Sequence, residues 1–147
     1  MFGLTVEYAL RAVAYLALHD EGTGTIQEIS EATKIPAPYL RKVLAKLRAK
    51  NLIRSQRGTG GGITLVADPD ELTILEVVNA VEPIRRIEKC PLDLPAHTAL
   101  CPLHTELDQA ISSIQQALGS KVIADLIPEL KGPSRRCRFP SPNRRRG

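Results

Sequence analysis

Apolar residues fall at helical spacing in a series of short stretches, and the period changes once, near the middle of the chain. From Leu4 to Leu18, Leu10, Val13, Leu16, Ala17 and several alanines describe a helix buried on most sides. Thr25 and Glu28 form a T-x-x-E capping box, which opens a second helix with Ile26, Ile29 and Ala32 on its apolar stripe. Pro36 and Pro38 interrupt it, because each lacks a backbone donor and biases its predecessor away from helix. Pro38 suits the first position of a third helix, whose Leu40, Val43, Leu44 and Leu47 show the i, i+3, i+4, i+7 spacing of one buried face. The period then drops to two. Leu52–Gln56 and Ile63–Val66 are expected as short strands around the tip Arg57-Gly58-Thr59-Gly60-Gly61-Gly62.

After a turn at Asp68-Pro69-Asp70, Thr73 and Glu76 repeat the capping box and open a helix to about Val81, with Ile74, Val77, Val78 and Val81 inward. Residues 83–100 are irregular and contain Pro83, Pro91 and Pro95; a loop of this length is expected to be functional or disordered. Pro102–Leu118 carries the longest helical pattern, through Leu103, Leu107, Ala110, Ile111, Ile114 and Leu118, and Val122–Ile127 is read as a last short helix.

The expected fold is mainly α with a small β-ribbon: a winged helix-turn-helix domain plus a long C-terminal helix. Residues 1–82 make the winged helix-turn-helix DNA-binding domain, 83–101 a sensor or cofactor loop, 102–130 a dimerisation helix with a C-terminal helix, and 131–147 a disordered basic tail. A helix with so apolar a stripe needs a partner surface. In a chain of 147 residues the expected partner is the same helix of a second copy.

Charge sharpens the picture. Residues 25–66 hold eight Lys/Arg and two Asp/Glu, whereas residues 1–24 sum to −2 and residues 67–130 to −7. The positive field therefore sits on the helix-turn-helix and its ribbon, as a duplex-binding surface requires. The net charge of +4 is not itself evidence, because residues 131–147 contribute seven cations and no acid. Aromatics are 3% with no Trp, which disfavours binding of single strands by base stacking. The glycine-rich tip lacks the Gly-Lys-Ser/Thr ending of a phosphate loop and precedes a strand, so it does not read as a nucleotide site.

Three cysteines do not suggest a secreted disulfide framework. The apolar run Tyr8–Leu18 contains Arg11 and is too short for a membrane span, so a cytoplasmic protein without membrane partners is expected.

Candidate DNA contacts are Pro38, Tyr39, Arg41, Lys42 and Lys46 on the third helix and Arg57, Gly58 and Gly60 at the wing. Glycine lets backbone come close to another molecule, and an arginine at such a tip suits a minor groove.

Several motifs together resemble the Rrf-two family of bacterial regulators, which includes iron–sulfur cluster regulators and nitric-oxide-sensing repressors. They are Leu4-Thr5…Tyr8-Ala9-Leu10, Ile35-Pro36…Tyr39-Leu40…Val43-Leu44…Leu47, Leu52-Ile53…Arg57-Gly58…Gly60-Gly61-Gly62, Ile74…Glu76-Val77…Ala80-Val81-Glu82 and Cys101-Pro102-Leu103-His104. The match spans about residues 1–130. It implies a homodimeric repressor on a palindromic operator, not an enzyme.

Cluster-binding members of that family carry three cysteines in the loop before the long helix. Cys90 and Cys101 match the outer two, and His104 matches a histidine three residues after the last. The middle cysteine is missing. Four readings stay open. One is an iron–sulfur cluster, [2Fe–2S] in type, on Cys90, Cys101 and a non-cysteine ligand: His104, or less strongly His97 or Glu7. Glu7 enters because some relatives use an acidic residue of the first helix as a ligand; it would reach the site of the partner subunit. The others are a thiol redox switch of Cys90 and Cys101, a zinc site on C-x6-H-x3-C-x2-H, and a loop with no cofactor. An enzyme using Cys101 as nucleophile and His104 as base is disfavoured, since no oxyanion site or substrate pocket accompanies them.

Overall fold

The computed structural model describes residues 2–19, 24–58, 61–96 and 98–127. The wing residue Gly60, the loop histidine His97 and the tail 131–147 with Cys137 lie outside the described residues. Five helices occur among those residues: α1 (Leu4–Leu18), α2 (Ile26–Thr33), α3 (Ala37–Ala49), α4 (Ile74–Val81) and α5 (Pro102–Gly119). Strands β1 (Ile53–Gln56) and β2 (Gly62–Leu65) form an antiparallel ribbon, and a short 3-10 helix covers Ile123–Leu126. The fold is a winged helix-turn-helix with an added long helix.

Local chemistry sets the element ends. Thr25 caps α2 by accepting from the Glu28 amide, and the Glu28 carboxylate accepts from the Thr25 amide at 2.9 Å. Thr73 and Glu76 do the same for α4. Each box satisfies two donors that a helix start leaves unpaired. Helix α3 opens at Ala37, one residue earlier than the proline pattern suggests. The Pro36 carbonyl already accepts from Tyr39 and Leu40 at 3.0 Å, and Pro38 occupies the second helical position, where no backbone donor is needed. Asn51 leaves α3 in the left-handed region at φ 58°, and the Leu52 amide turns back to the Leu47 carbonyl at 3.1 Å. This turn aims β1 away from the helix end.

The core lies where α1 meets α2, α3 and α4. Ala9, Ala12, Val13, Ile29, Leu40, Leu47 and Val77 have almost no exposed surface. The alanines of α1 let the other helices approach closely. From the ribbon, Ile53 and Ile63 reach into the same core. The turn segment after β2 leads to α4, and the segment after α5 returns. Ile74 donates to Lys121 and Ile123 donates to Leu72, so Ile123 and Ile127 close the core beneath α4.

Helix α5 differs from the other helices. None of its 18 residues is buried, and Leu103 and Leu107 are 63% and 48% exposed. On a helical wheel, Leu103, Leu107, Ala110 and Ile114 form one stripe, open at its first three positions and half-buried at Ile114. His104, Asp108, Ile111 and Gln115 lie along a neighbouring stripe, and several of them contact the chain's own loop.

Candidate nucleic-acid interface and Cys–His centre

Helix α3 shows three kinds of surface. Its buried side is Leu40, Val43, Leu44 and Leu47. Pro38 and Lys42 face directly outward, and both are exposed. Arg41 and Arg48, two turns apart, share the flank toward the ribbon. With Ser55, Ile26 and Ile63 they line a groove of about 190 Å³ between α2, α3 and the ribbon. Arg48 was missing from the sequence-based contact set. Periodicity placed it off the buried face but could not say which flank the ribbon would adjoin.

Tyr39 and Lys46 take the opposite flank. Tyr39 is 56% exposed, yet its ring lies 6.2 Å from that of Tyr8 on α1, with Lys42 Nζ 5.9 Å above it. Lys46 does not stand with the arginines: its Nζ donates at 3.0 Å to the Val81 carbonyl at the end of α4. That carbonyl is among those a helix C-terminus leaves unpaired, and the terminus favours a cation. Lys46 thus joins α3 to α4 in the free protein.

At the wing, Arg57 and Gly58 are exposed. Gly58 has φ 96°, a conformation side chains disfavour. A Cβ on Gly61 would meet the Gln56 carbonyl oxygen at 2.5 Å and that of Gly58 at 2.8 Å. The glycine run therefore serves the tight turn of the tip, which carries Arg57 at its edge.

The second constellation lies at the start of α5. Ligand atoms of Cys90, Cys101 and His104 all fall within 4.8 Å of one another. His104 Nδ1 is 3.0 Å from Cys101 Sγ and 3.6 Å from Cys90 Sγ. Cys101 immediately precedes α5, so the i+3 spacing brings His104 back over it. Cys90 arrives from the far end of the loop, and its thiol is buried. Neither cysteine is in a disulfide. Glu7 is not in this group; it pairs with Arg11 one turn away on α1, and Arg11 also donates to the Thr33 carbonyl. Two thiols and an imidazole suit a soft or borderline metal. They fit three of the four terminal ligand positions of a [2Fe–2S] cluster and equally three of the four corners of a tetrahedral zinc.

No helix among the described residues is long and apolar enough to cross a membrane.

Comparison with known proteins agrees with this architecture. A family profile described as "Rrf2: Iron-dependent Transcriptional regulator" matches residues 4–129. A protein of Aquifex aeolicus strain VF5, named as a candidate HTH-type transcriptional regulator, is 33% identical over 132 residues, covering 86% of this chain and 91% of its own. The HTH-type transcriptional regulator IscR of Aliivibrio salmonicida is 39% identical over 84 residues, 56% of this chain and 50% of its own. Among solved structures, IscR of T. potens superposes with a TM-score of 0.72 at 23% identity, over 88% of this chain and 87% of that one, which supports the fold. A chain matched from residue 4 to residue 129 by this profile is a DNA-binding transcriptional regulator and not an enzyme; it belongs to the Rrf2 family.

Proposed function

We propose that the protein acts as a homodimer on duplex DNA and that the Cys90–Cys101–His104 centre controls its operator affinity. In this reading α3 enters the major groove, with Pro38, Arg41 and Lys42 outward and Arg48 beside the ribbon. Arg57, carried by the glycine turn through Gly58, Gly60 and Gly61, reaches the adjacent minor groove or backbone. Two copies joined along the open stripe of α5 present two such surfaces about one DNA turn apart. Repression is the expected regulatory sense.

The observation that carries the sensing half is the convergence of three ligand atoms within 4.8 Å from opposite ends of an irregular loop. Helix spacing alone sets His104 beside Cys101, so the informative part of the convergence is the approach of Cys90 from the other end of the loop. The centre sits at the root of α5, so its state bears on how that helix meets its partner. When bound there, an iron–sulfur cluster would supply one-electron redox chemistry tuned by its hydrogen bonds and exposure. The chain's own part is plain: Cys90 and Cys101 offer thiolates, His104 offers Nδ1, and the burial of Cys90 keeps water from one side. The fourth position falls to a ligand outside this group.

A second reading has its own support. Cys90 Sγ and Cys101 Sγ both lie beside His104, at 3.6 and 3.0 Å, which also suits a thiol switch in which the two cysteines are oxidised together.

The test is an operator-binding titration on duplex fragments with anaerobically purified protein, before and after metal depletion. A change in affinity of about tenfold or more is expected, in keeping with coupling energies of about 1–3 kcal/mol. Equal affinity in both states, together with no effect of a thiol oxidant, overturns the sensing reading. Visible absorbance before depletion, lost in Cys101→Ser, distinguishes a cluster from zinc. On the DNA side, Arg57→Ala weakens duplex binding by about fivefold to tenfold, since one phosphate or minor-groove contact is worth about 1 kcal/mol. Unchanged binding by that variant removes the wing from the interface.

A further inference from the structure

We infer that Arg86 and Asp108 form a clamp that holds Cys90 against Cys101 and His104, which makes them positioning residues of the centre. The inference rests on the reading of that centre as a ligand site.

Asp108 lies one turn beyond His104 on α5. Its carboxylate accepts three hydrogen bonds: from Arg86 Nε at 2.7 Å, from Arg86 Nη2, and from the Ile87 amide at 2.8 Å. The guanidinium meets it as a two-pronged fork, the geometry that fixes orientation as well as distance. Three residues further back, the Ile84 amide donates to Asn79 Oδ1 at 2.9 Å, and the Ile84 carbonyl accepts from Gln115 Nε2 at 3.0 Å. The segment 84–87 belongs to no helix or strand. Its path is set instead by side chains of α4 and α5, at Asn79, Asp108 and Gln115.

This placement has a consequence for Cys90. Ile87 precedes it by three residues, so at most about 11 Å separates their Cα atoms. Cys101 and His104 are already fixed to each other by the start of α5. Cys90 is the remote ligand, brought in from the far side of an irregular loop. No residue of α5 is buried, so core packing does not hold its first turns against the loop. Of the charged groups nearby, Arg86 is the one that bridges the two; Arg85 next to it is exposed and Asp108 makes no bond to it among the described residues. The hydrogen bonds from Arg86, then that from Ile87, lower the Asp108 carboxyl from 3.8 to about 2, so it stays ionised wherever the protein functions. The Asp108 side chain is 13% exposed and that of Arg86 44%, so solvent screens the pair in part and the fork geometry, more than raw attraction, fixes the segment.

Ligand-supporting contacts of this kind change metal affinity by about tenfold to a hundredfold when removed. Two variants test the clamp in the full chain, Asp108→Ala and the gentler Asp108→Asn, with Arg85→Ala as the neighbouring control. The first measurement needs no metal: the alkylation rate of each cysteine by iodoacetamide in metal-free protein, resolved by peptide mass spectrometry. In the parent protein Cys90, 8% exposed, reacts more slowly than the more open Cys101. In Asp108→Ala the Cys90 rate rises by about fivefold or more and the Cys101 rate stays within about twofold, the signature of local opening and not of global unfolding. Asp108→Asn, which keeps an acceptor for Ile87, falls between, and Arg85→Ala matches the parent. The second measurement is a titration with Co2+ alone. The expected result is binding about tenfold weaker, with thiolate-to-cobalt charge-transfer intensity per metal reduced to about half as one of two sulfur ligands is lost.

An unchanged Cys90 rate in Asp108→Ala overturns the clamp, whatever cobalt does. A parent protein that takes up no cobalt overturns the metal reading of the centre, and the alkylation rates still decide the clamp. A general rise in reactivity at both cysteines, matched by a lower unfolding temperature in Asp108→Asn as well, assigns the pair to stability and also overturns the inference.

Discussion

If α5 joins two copies as proposed, the double substitution Leu107→Glu with Ala110→Glu yields a monomer and lowers affinity for a two-half-site operator by about a hundredfold or more. Both positions lie on the open stripe of α5 and both are exposed in the single chain, so neither change costs core packing within one copy. Across a two-fold axis each glutamate meets its own symmetry mate or a neighbour of it, and four like charges then replace apolar contacts. The geometry makes the stripe adequate for such a contact. An α-helix of 18 residues is about 27 Å long. Paired with its mate it can supply much of the roughly 800 Å² per partner that a stable interface needs. Loss of the dimer removes the second recognition helix from the first one's reach, and with it the effective concentration that makes the second half-site cheap to occupy. Sedimentation reads the mass, which is twice 16.1 kDa for the parent and 16.1 kDa for the variant. Gln109→Glu, on the same helix but off the stripe, remains a dimer. A double variant that keeps the parent's dimeric mass, or a parent that is itself monomeric, rejects α5 as the contact.

What was legible in the sequence was local. The two T-x-x-E boxes, the proline-marked turn and the change of period from 3.6 to 2 each depend on residues a few positions apart. Helix ends and the ribbon accordingly fall within a residue of where the pattern puts them. The glycine tip was legible because Gly58 and Gly61 answer to backbone sterics alone. The open stripe of α5 could be read as well, because an apolar period without a nearby counterpart shows in composition. The flanks of α3 could not. Periodicity names the buried side of a helix, but which flank adjoins the ribbon and which adjoins α4 depends on how the chain returns. That is why the place of Arg48 beside the ribbon and the bond from Lys46 to Val81 were not foreseen. The partners of Lys46 and of Asp108 lie 35 and 22 residues away. No pattern in the sequence links them. The Cys–His centre was legible in its members, since Cys90, Cys101 and His104 were all named and do converge, whereas the long-range bonds that fix the segment before Cys90, to Asp108 and Gln115, were not.

The flanks of α3 also give the sharpest test of the DNA surface. In the proposed dimer, the double variant Arg41→Ala with Arg48→Ala lowers operator affinity by about a thousandfold or more, because four guanidinium groups, two per copy, leave the side of α3 that meets the ribbon groove. Each contact to phosphate or base contributes about 1–3 kcal/mol, and the pair are two turns apart with room for separate partners. If both touch phosphate, the slope of log affinity against log salt becomes less steep by about two per half-site. Lys46→Ala behaves in the opposite way. Its Nζ already caps the end of α4 through Val81, so the salt slope stays where it was and the protein loses about 1 kcal/mol of folding stability with the hydrogen bond. The two variants therefore separate in two measurements, salt dependence and denaturant midpoint. Should Lys46→Ala flatten the salt slope by one while the midpoint holds, the lysine leaves Val81 when DNA arrives, and the DNA-facing side of α3 extends to its α4 flank.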